Sequence, residues 1–179
     1  LTAGGSGPTP DASVNTRVVS GQIRTADFGG GPLSVLSTYL FDTVPSNGPF
    51  TTVISSLGPQ MLLAVDAQNL LRGLLVTLPD ASQRTVDANS TALALCYFTT
   101  GLLSLDPSEA AALLRDLSGL ASFTTLSSYL RSLLSTQDLS KLATDTQFLS
   151  LRDQVISDLL SARGVLPKTV LNTKLTYEL

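Results

Sequence analysis

Acid–base and nucleophilic chemistry draws on a short set of side chains, and this chain supplies few of them. It has no histidine in 179 residues, which removes Ser-His-Asp and Cys-His arrangements and zinc sites built on histidine. Its one cysteine, Cys96, lies inside an apolar run and reads as a small core hydrophobe. A single cysteine allows no intrachain disulfide and so reports no redox compartment. No S-x-x-K or G-x-S-x-G occurs, nor a Walker loop or dinucleotide fingerprint; the Gly-rich stretches Gly4–Gly7 and Gly29–Pro32 lack the flanking strand and helix. What remains is 12 Asp and two Glu. A glycosidase needs two carboxylates facing each other across a cleft. Here Glu109 reads as a helix-capping residue, Glu178 as the polar face of a strand, Asp153 and Asp158 as a solvated helix face, and Asp42 and Asp66 as turn residues. A D-x-D-x-D-G calcium loop is absent. The sequence predicts no enzyme, no catalytic, cofactor-binding or metal-ligating residue, and no cofactor.

Recognition chemistry is equally sparse. Net charge is −3 and no two of the 11 Lys and Arg are adjacent, so the basic footprint of nucleic-acid binding is missing. Aromatics are 6% of residues with no tryptophan; Tyr39, Tyr97, Tyr129 and Tyr177 share no spacing, and each reads as a core or interface position rather than a binding platform. No small-molecule ligand is predicted. Charged residues are 14%, well under the typical value of about 25%. Ser and Thr, 22 and 21 residues, carry most of the polarity. Such a surface either belongs to a secreted protein with hydroxyl-rich loops or packs against neighbours without desolvating many ions.

The elements are read from periodicity and punctuation. Residues 1–13, beginning "LTAGGSGPTP", form a Gly/Pro-rich N-terminal arm. A chain opening at Leu1 rather than methionine is expected of a leader-cleaved or fragmented product. Residues 14–80 read as a small, mostly antiparallel β module. In it Val14, Thr16 and Val18 alternate, then Val19, Gly21 and Ile23, so a bulge is expected at the phase change between Val18 and Val19. "FTTVISSL" is a β-branched strand, and Met61–Val65 and Leu70–Leu78 form a hairpin turned by "DAQN". Residues 88–164 read as a helical segment of about four helices. Asn89 or Ser90 caps the first; Asp106, Pro107, Glu109 and Gly119 bracket the second. Phe123, Leu126, Leu130, Leu133 and Leu134 make the stripe of the third, and Phe148, Val155, Ile156, Leu159 and Leu160 that of the last, which Gly164 closes. After Pro167, residues 168–179 alternate as a half-buried C-terminal strand: Leu171, Thr173, Leu175, Tyr177 and Leu179 on one row, Asn172, Lys174, Thr176 and Glu178 on the other. The fold class expected is α+β.

Between Asp87 and Asp106 lie 18 residues without a charge. A membrane span needs about 20 predominantly apolar residues, and this run is broken by Asn89, several hydroxyls and Gly101. It reads as a core helix, with Leu93, Leu95, Cys96, Phe98, Leu102 and Leu103 expected to be mostly buried and no membrane span. "NST" at Asn89 matches a glycosylation acceptor, but a helix cap explains it better.

"RVVSGQI" (Arg17–Ile23), "PQMLLAVDAQNLLRGLLV" (Pro59–Val76) and "VDANSTALAL" (Val86–Leu95) resemble segments of bacterial secreted or cell-surface proteins of unknown activity. These pair a carboxypeptidase regulatory-like β module with a helical segment opened by a Ser-Thr-Ala-Leu-Ala-Leu motif. The resemblance covers about half the chain, and the "TDxxGxF"-like turn of the regulatory domain is missing. It implies an extracytoplasmic, non-catalytic protein and no particular activity.

Two functions fit these readings. The first is a structural subunit, secreted or at the cell surface, that polymerises with copies of itself into a filament or layer by exchanging a terminal strand, the arm through about Val19 being the favoured donor and the C-terminal strand pairing with its own β module. The alternative is a monomeric secreted or periplasmic binding module with a groove between the β and helical parts.

Overall fold

The structure, a computed structural model, describes residues 15–41, 43–82, 84–100 and 105–164. The arm (1–13) and the C-terminal strand (168–179) lie outside the described residues, as do Asp42, Leu102 and Leu103. The chain is α+β: among the described residues six strands precede four helices.

β1 (Thr16–Ile23), β3 (Pro49–Ser55) and β6 (Thr85–Val86) make one sheet in the order β3-β1-β6; β2 (Ser34–Leu36), β4 (Gln60–Val65) and β5 (Leu71–Thr77) make the other in the order β2-β4-β5. All pairings are antiparallel except β1 with β6. The β1–β3 register runs without interruption from Thr16 opposite Ser55 to Gln22 opposite Pro49. No bulge forms at Val18–Val19. Val19 and Ile23 point into the core while Val18 stays 47% exposed, because one continuous alternation satisfies the pleat and simply leaves a valine outside. The irregularity falls instead at Ala64/Val65, beside the hairpin turn. That turn forms as read: Asp66 Oδ1 accepts from the Gln68 and Leu70 N–H at 2.9 Å each, and Asn69 takes the left-handed conformation at φ 59°, which Asn tolerates.

α1 (Ala88–Thr99) is capped by Asp87 rather than Asn89 or Ser90. The Asp87 carboxylate accepts from Ser90 N–H at 2.7 Å and Ser90 Oγ accepts from Asp87 N–H at 3.0 Å, a reciprocal capping box. The helix begins earlier than the hydroxyl signal because Asp87 is already extended, at φ −151°. α2 (Pro107–Ser118) opens on Asp106 and Pro107 and ends at Gly119. α3 (Ala121–Leu134) buries all five residues of its expected stripe. α4 (Thr146–Ala162) buries Phe148, Val155 and Leu159 but leaves Leu160 at 36% exposure.

The interior is one continuous cluster that includes Ile54, Leu62 and Val86 from the sheets and Leu113, Leu126 and Val155 from the helices. α1 stands at its centre, packed on β5, β6 and the other three helices. Its fully enclosed residues are Ala88, Thr91, Ala92, Ala94 and Cys96, with Tyr97 at 2% exposure. Leu93, Leu95 and Phe98, expected to be mostly buried, are partly buried and packed against this core. Close approach on several sides favours small side chains on the enclosed face, where Tyr97 is the one large residue of α1 fully covered. No described helix is long and apolar enough to cross a membrane.

Candidate functional site

The charged groups placed deepest have structural partners. Asp27 is 5% exposed. Its Oδ2 accepts from the Ala88 N–H at 3.0 Å, and Arg131 Nε lies 3.5 Å away. A 3-10 turn at Thr25–Phe28 thus stabilises the N-terminus of α1 from a distance, where an anion is favoured. Arg72 donates to the Phe28 and Leu134 carbonyls, both at 3.1 Å. Arg84 donates to Thr77 Oγ1 and to the Leu78 and Pro79 carbonyls, and burial lowers its pKa. Each is occupied in joining backbone ends. Asp153 pairs with Arg152 at 2.6 Å and Asp158 accepts from Gln154 at 2.7 Å, both on the surface. Among the described residues no group of three or more acidic or cysteine side chains is placed to hold a metal.

At the edges of the sheets, unpaired backbone N–H and C=O groups are the feature open to a partner. β5 ends its sheet, but its outer edge is engaged: the Leu74 N–H donates to Thr91 Oγ1 at 3.1 Å, and Ser90 Oγ donates to the Leu74 carbonyl at 2.8 Å. The Ser-Thr pair at the head of α1 thereby stands in for a neighbouring strand. β2 is three residues long and is tied at its start by the Leu33–Ser46 bridge. β6 is two residues long.

β3 differs. It is seven residues long, ends its sheet, and has β1 as its one strand partner among the described residues. The bonds from Ser56 N–H to the Asn15 carbonyl (2.7 Å) and from Ile23 N–H to the Gly48 carbonyl (2.7 Å) fix which residues face β1. In an antiparallel ladder these alternate. Phe50, Thr52 and Ile54 therefore bond to β1, and the backbone groups of Thr51, Val53 and Ser55 project from the free side. β3 carries no charged residue, and none occurs from Thr43 to Val65; edges are commonly protected by such charges.

A groove of about 660 Å³ runs along this edge, between β3 and the loop that follows β2. Val35, Leu40, Val44, Phe50 and Val53 line it, together with Thr43 and Thr52. Val44 is 88% exposed. Thr52 is fully buried, and neither its Oγ1 nor that of Thr43 has a hydrogen-bond partner among the described residues. Among the described residues the lining contains no charged side chain, so an ionic ligand would find no counter-ion among them. An extended, uncharged chain would find backbone partners on one side and apolar surface below. By contrast, the cleft between the β strands and α1, at Met61, Val76, Tyr97 and Phe98, holds about 130 Å³, below the roughly 300 Å³ at which ligand pockets begin.

Sequence reasoning recognised β3 as a strand but not as an exposed edge. The available signal was the charge-free run from Thr43 to Val65. The comparisons place no other protein beside this one: no family model, curated protein or solved structure matches the chain.

Proposed function

We propose that this protein is a non-catalytic structural subunit, secreted or held at the cell surface, that assembles with copies of itself, each copy receiving an extended segment of a neighbour along β3. One observation carries the reading: a seven-residue edge strand without charge opens onto a groove of about 660 Å³ whose described lining residues carry no charge. Natural sheets rarely leave such an edge uncovered. A contact in which one copy's segment fills another copy's groove is head-to-tail and propagates. The charge-poor, hydroxyl-rich composition supports close packing of copies, and the resemblance to secreted surface proteins supports the location. The small cleft between strands and helices counts against the monomeric binding module.

The test is Thr51→Pro. Thr51 is exposed, and its N–H points away from β1, so proline there removes an outward donor and leaves the β1–β3 ladder intact, as edge strands tolerate. Size exclusion and negative-stain microscopy are expected to show assemblies for the native protein and a folded monomer for the variant. A native chain that elutes near 18.7 kDa at every concentration overturns the proposal, as does a variant that assembles normally.

A further inference from the structure

We infer that the segment received along β3 is residues 169–179 of a neighbouring copy. This rests on the reading above and names its donor, replacing the N-terminal arm favoured on sequence alone.

Three arguments select it. The first is the requirement for a ladder. A strand pairing with β3 must present N–H and C=O groups at regular intervals. The arm carries Gly4, Gly5, Gly7, Pro8 and Pro10; proline has no N–H to give, and glycine weakens a strand interior. The residues that would extend the arm, Thr16–Val19, already belong to β1. Residues 169–179 contain neither proline nor glycine.

The second is the match of faces. The groove is apolar beneath, at Val35 and Phe50, and open to solvent above, where Thr51 is exposed. An incoming strand should therefore be apolar on alternate residues and polar on the others. Leu171, Leu175, Tyr177 and Leu179 form such a row with Thr173, against Asn172, Lys174, Thr176 and Glu178. Thr173 is the polar member of the otherwise apolar row from Leu171 to Leu179. Along β3 seven residues span about 23 Å, which the eleven residues of the segment cover.

The third decides whose segment it is. α4 packs on α1, α2 and α3, and Arg163 at its end pairs with Asp116 of α2 at 2.7 Å. α1 meets the β3-β1-β6 sheet at β6, the edge away from β3. A path from α4 to β3 thus crosses a helix spacing of about 8–10 Å and two strand spacings of about 10 Å. Only residues 165–168 separate Gly164 from the segment, so the five chain steps to Thr169 reach about 17 Å. A neighbouring copy supplies the segment more readily than the chain itself.

The experiment uses the full chain, a chain ending at Lys168, a synthetic peptide of residues 169–179, and Leu175→Asp in the full chain. The shortened chain is expected to stay a folded monomer by far-UV circular dichroism and size exclusion. It should bind the peptide one to one by fluorescence anisotropy, with at least tenfold weaker binding when Thr51→Pro is also present. Leu175→Asp, which keeps the length and most of the sequence, is expected to abolish assembly even if the shortened chain fails to fold. Assembly by the shortened chain or by Leu175→Asp overturns the donor; if Thr51→Pro still blocks assembly, the groove reading survives alone. If Thr51→Pro assembles too, both fall. A monomeric full chain whose amides in 169–179 resist hydrogen exchange means closure on its own edge, and overturns both.

Discussion

Thr91 holds two elements together through one oxygen. Its Oγ1 accepts from the Leu74 N–H at 3.1 Å and donates to the Asp87 carbonyl at 2.8 Å, and the residue is fully buried. Thr91→Val keeps the shape and removes both bonds, leaving the Leu74 N–H enclosed without a partner. A loss of about 1–3 kcal/mol is expected, measured by urea unfolding, while Thr91→Ser should retain most of the stability. The sequence showed a hydroxyl near a helix start but not this role, because Leu74 lies 17 residues upstream and only the folded sheet brings it near. Cys96 was legible: a lone cysteine in an uncharged run is buried, and it is. Burial pushes its thiol up to about 12, despite the opposing field of Arg152. A thiol reagent at pH 8 should modify the native protein no faster than the chain opens, and modify the urea-unfolded chain at once. The raised value also sets a sign. The protonated thiol's contribution to stability is complete below the unfolded-chain value, about 8.5, and is lost as pH rises from there through about 12.

At the scale of elements, what was local could be read and what depended on approach could not. Asp106 and Pro107 announce α2 within a few residues, and α2 begins there. The burial of alanines rather than leucines on α1 depends on how closely β5 and the helices approach, which no window of sequence contains. Gly73, in the middle of β5, marks the same closeness: a Cβ there would lie 2.8 Å from Phe28 Cζ and 3.1 Å from Val86 Cγ1. Gly73→Ala should therefore destabilise by about 1–3 kcal/mol as Phe28 is forced aside, seen as a lowered urea midpoint with an unchanged slope. Three caps give the helical half a pH dependence. Asp106, Asp138 and Asp145 are held below the usual carboxylate range by hydrogen bonds: to Glu109 N–H and Ser108 for the first, to Ser140 for the second, and to Phe148 N–H and the Tyr129 hydroxyl for the third. A depressed pKa contributes stability that is present above the unfolded value, about 3.9, and lost as pH falls through the folded one. Thermal unfolding should occur at progressively lower temperature below about pH 4, and Asp145→Asn should flatten that dependence.

For the whole molecule, the division into strands and then helices was legible because periodicity and capping signals change sharply after Leu78. The open edge was not, because an edge is defined by which strand fails to find a neighbour, a property of the complete topology. That edge also predicts how assembly responds to salt. Contacts between charged surfaces weaken as ions screen them, the Debye length falling from about 10 Å at 0.1 M to about 3 Å at 1 M. Among the described residues the β3 groove has no charged lining residue, and the side chains of the segment 169–179 bring only Lys174 and Glu178, which cancel and lie on its polar row. Backbone hydrogen bonds and apolar burial then supply the interaction, and sulfate strengthens apolar burial by its exclusion from protein surface. The assembled fraction, measured by sedimentation, should stay nearly constant from 0.05 to about 1 M sodium chloride and rise in sodium sulfate. A steep fall with sodium chloride would place the contact on a charged surface elsewhere, since no residue of β3 and no described residue of its groove is charged.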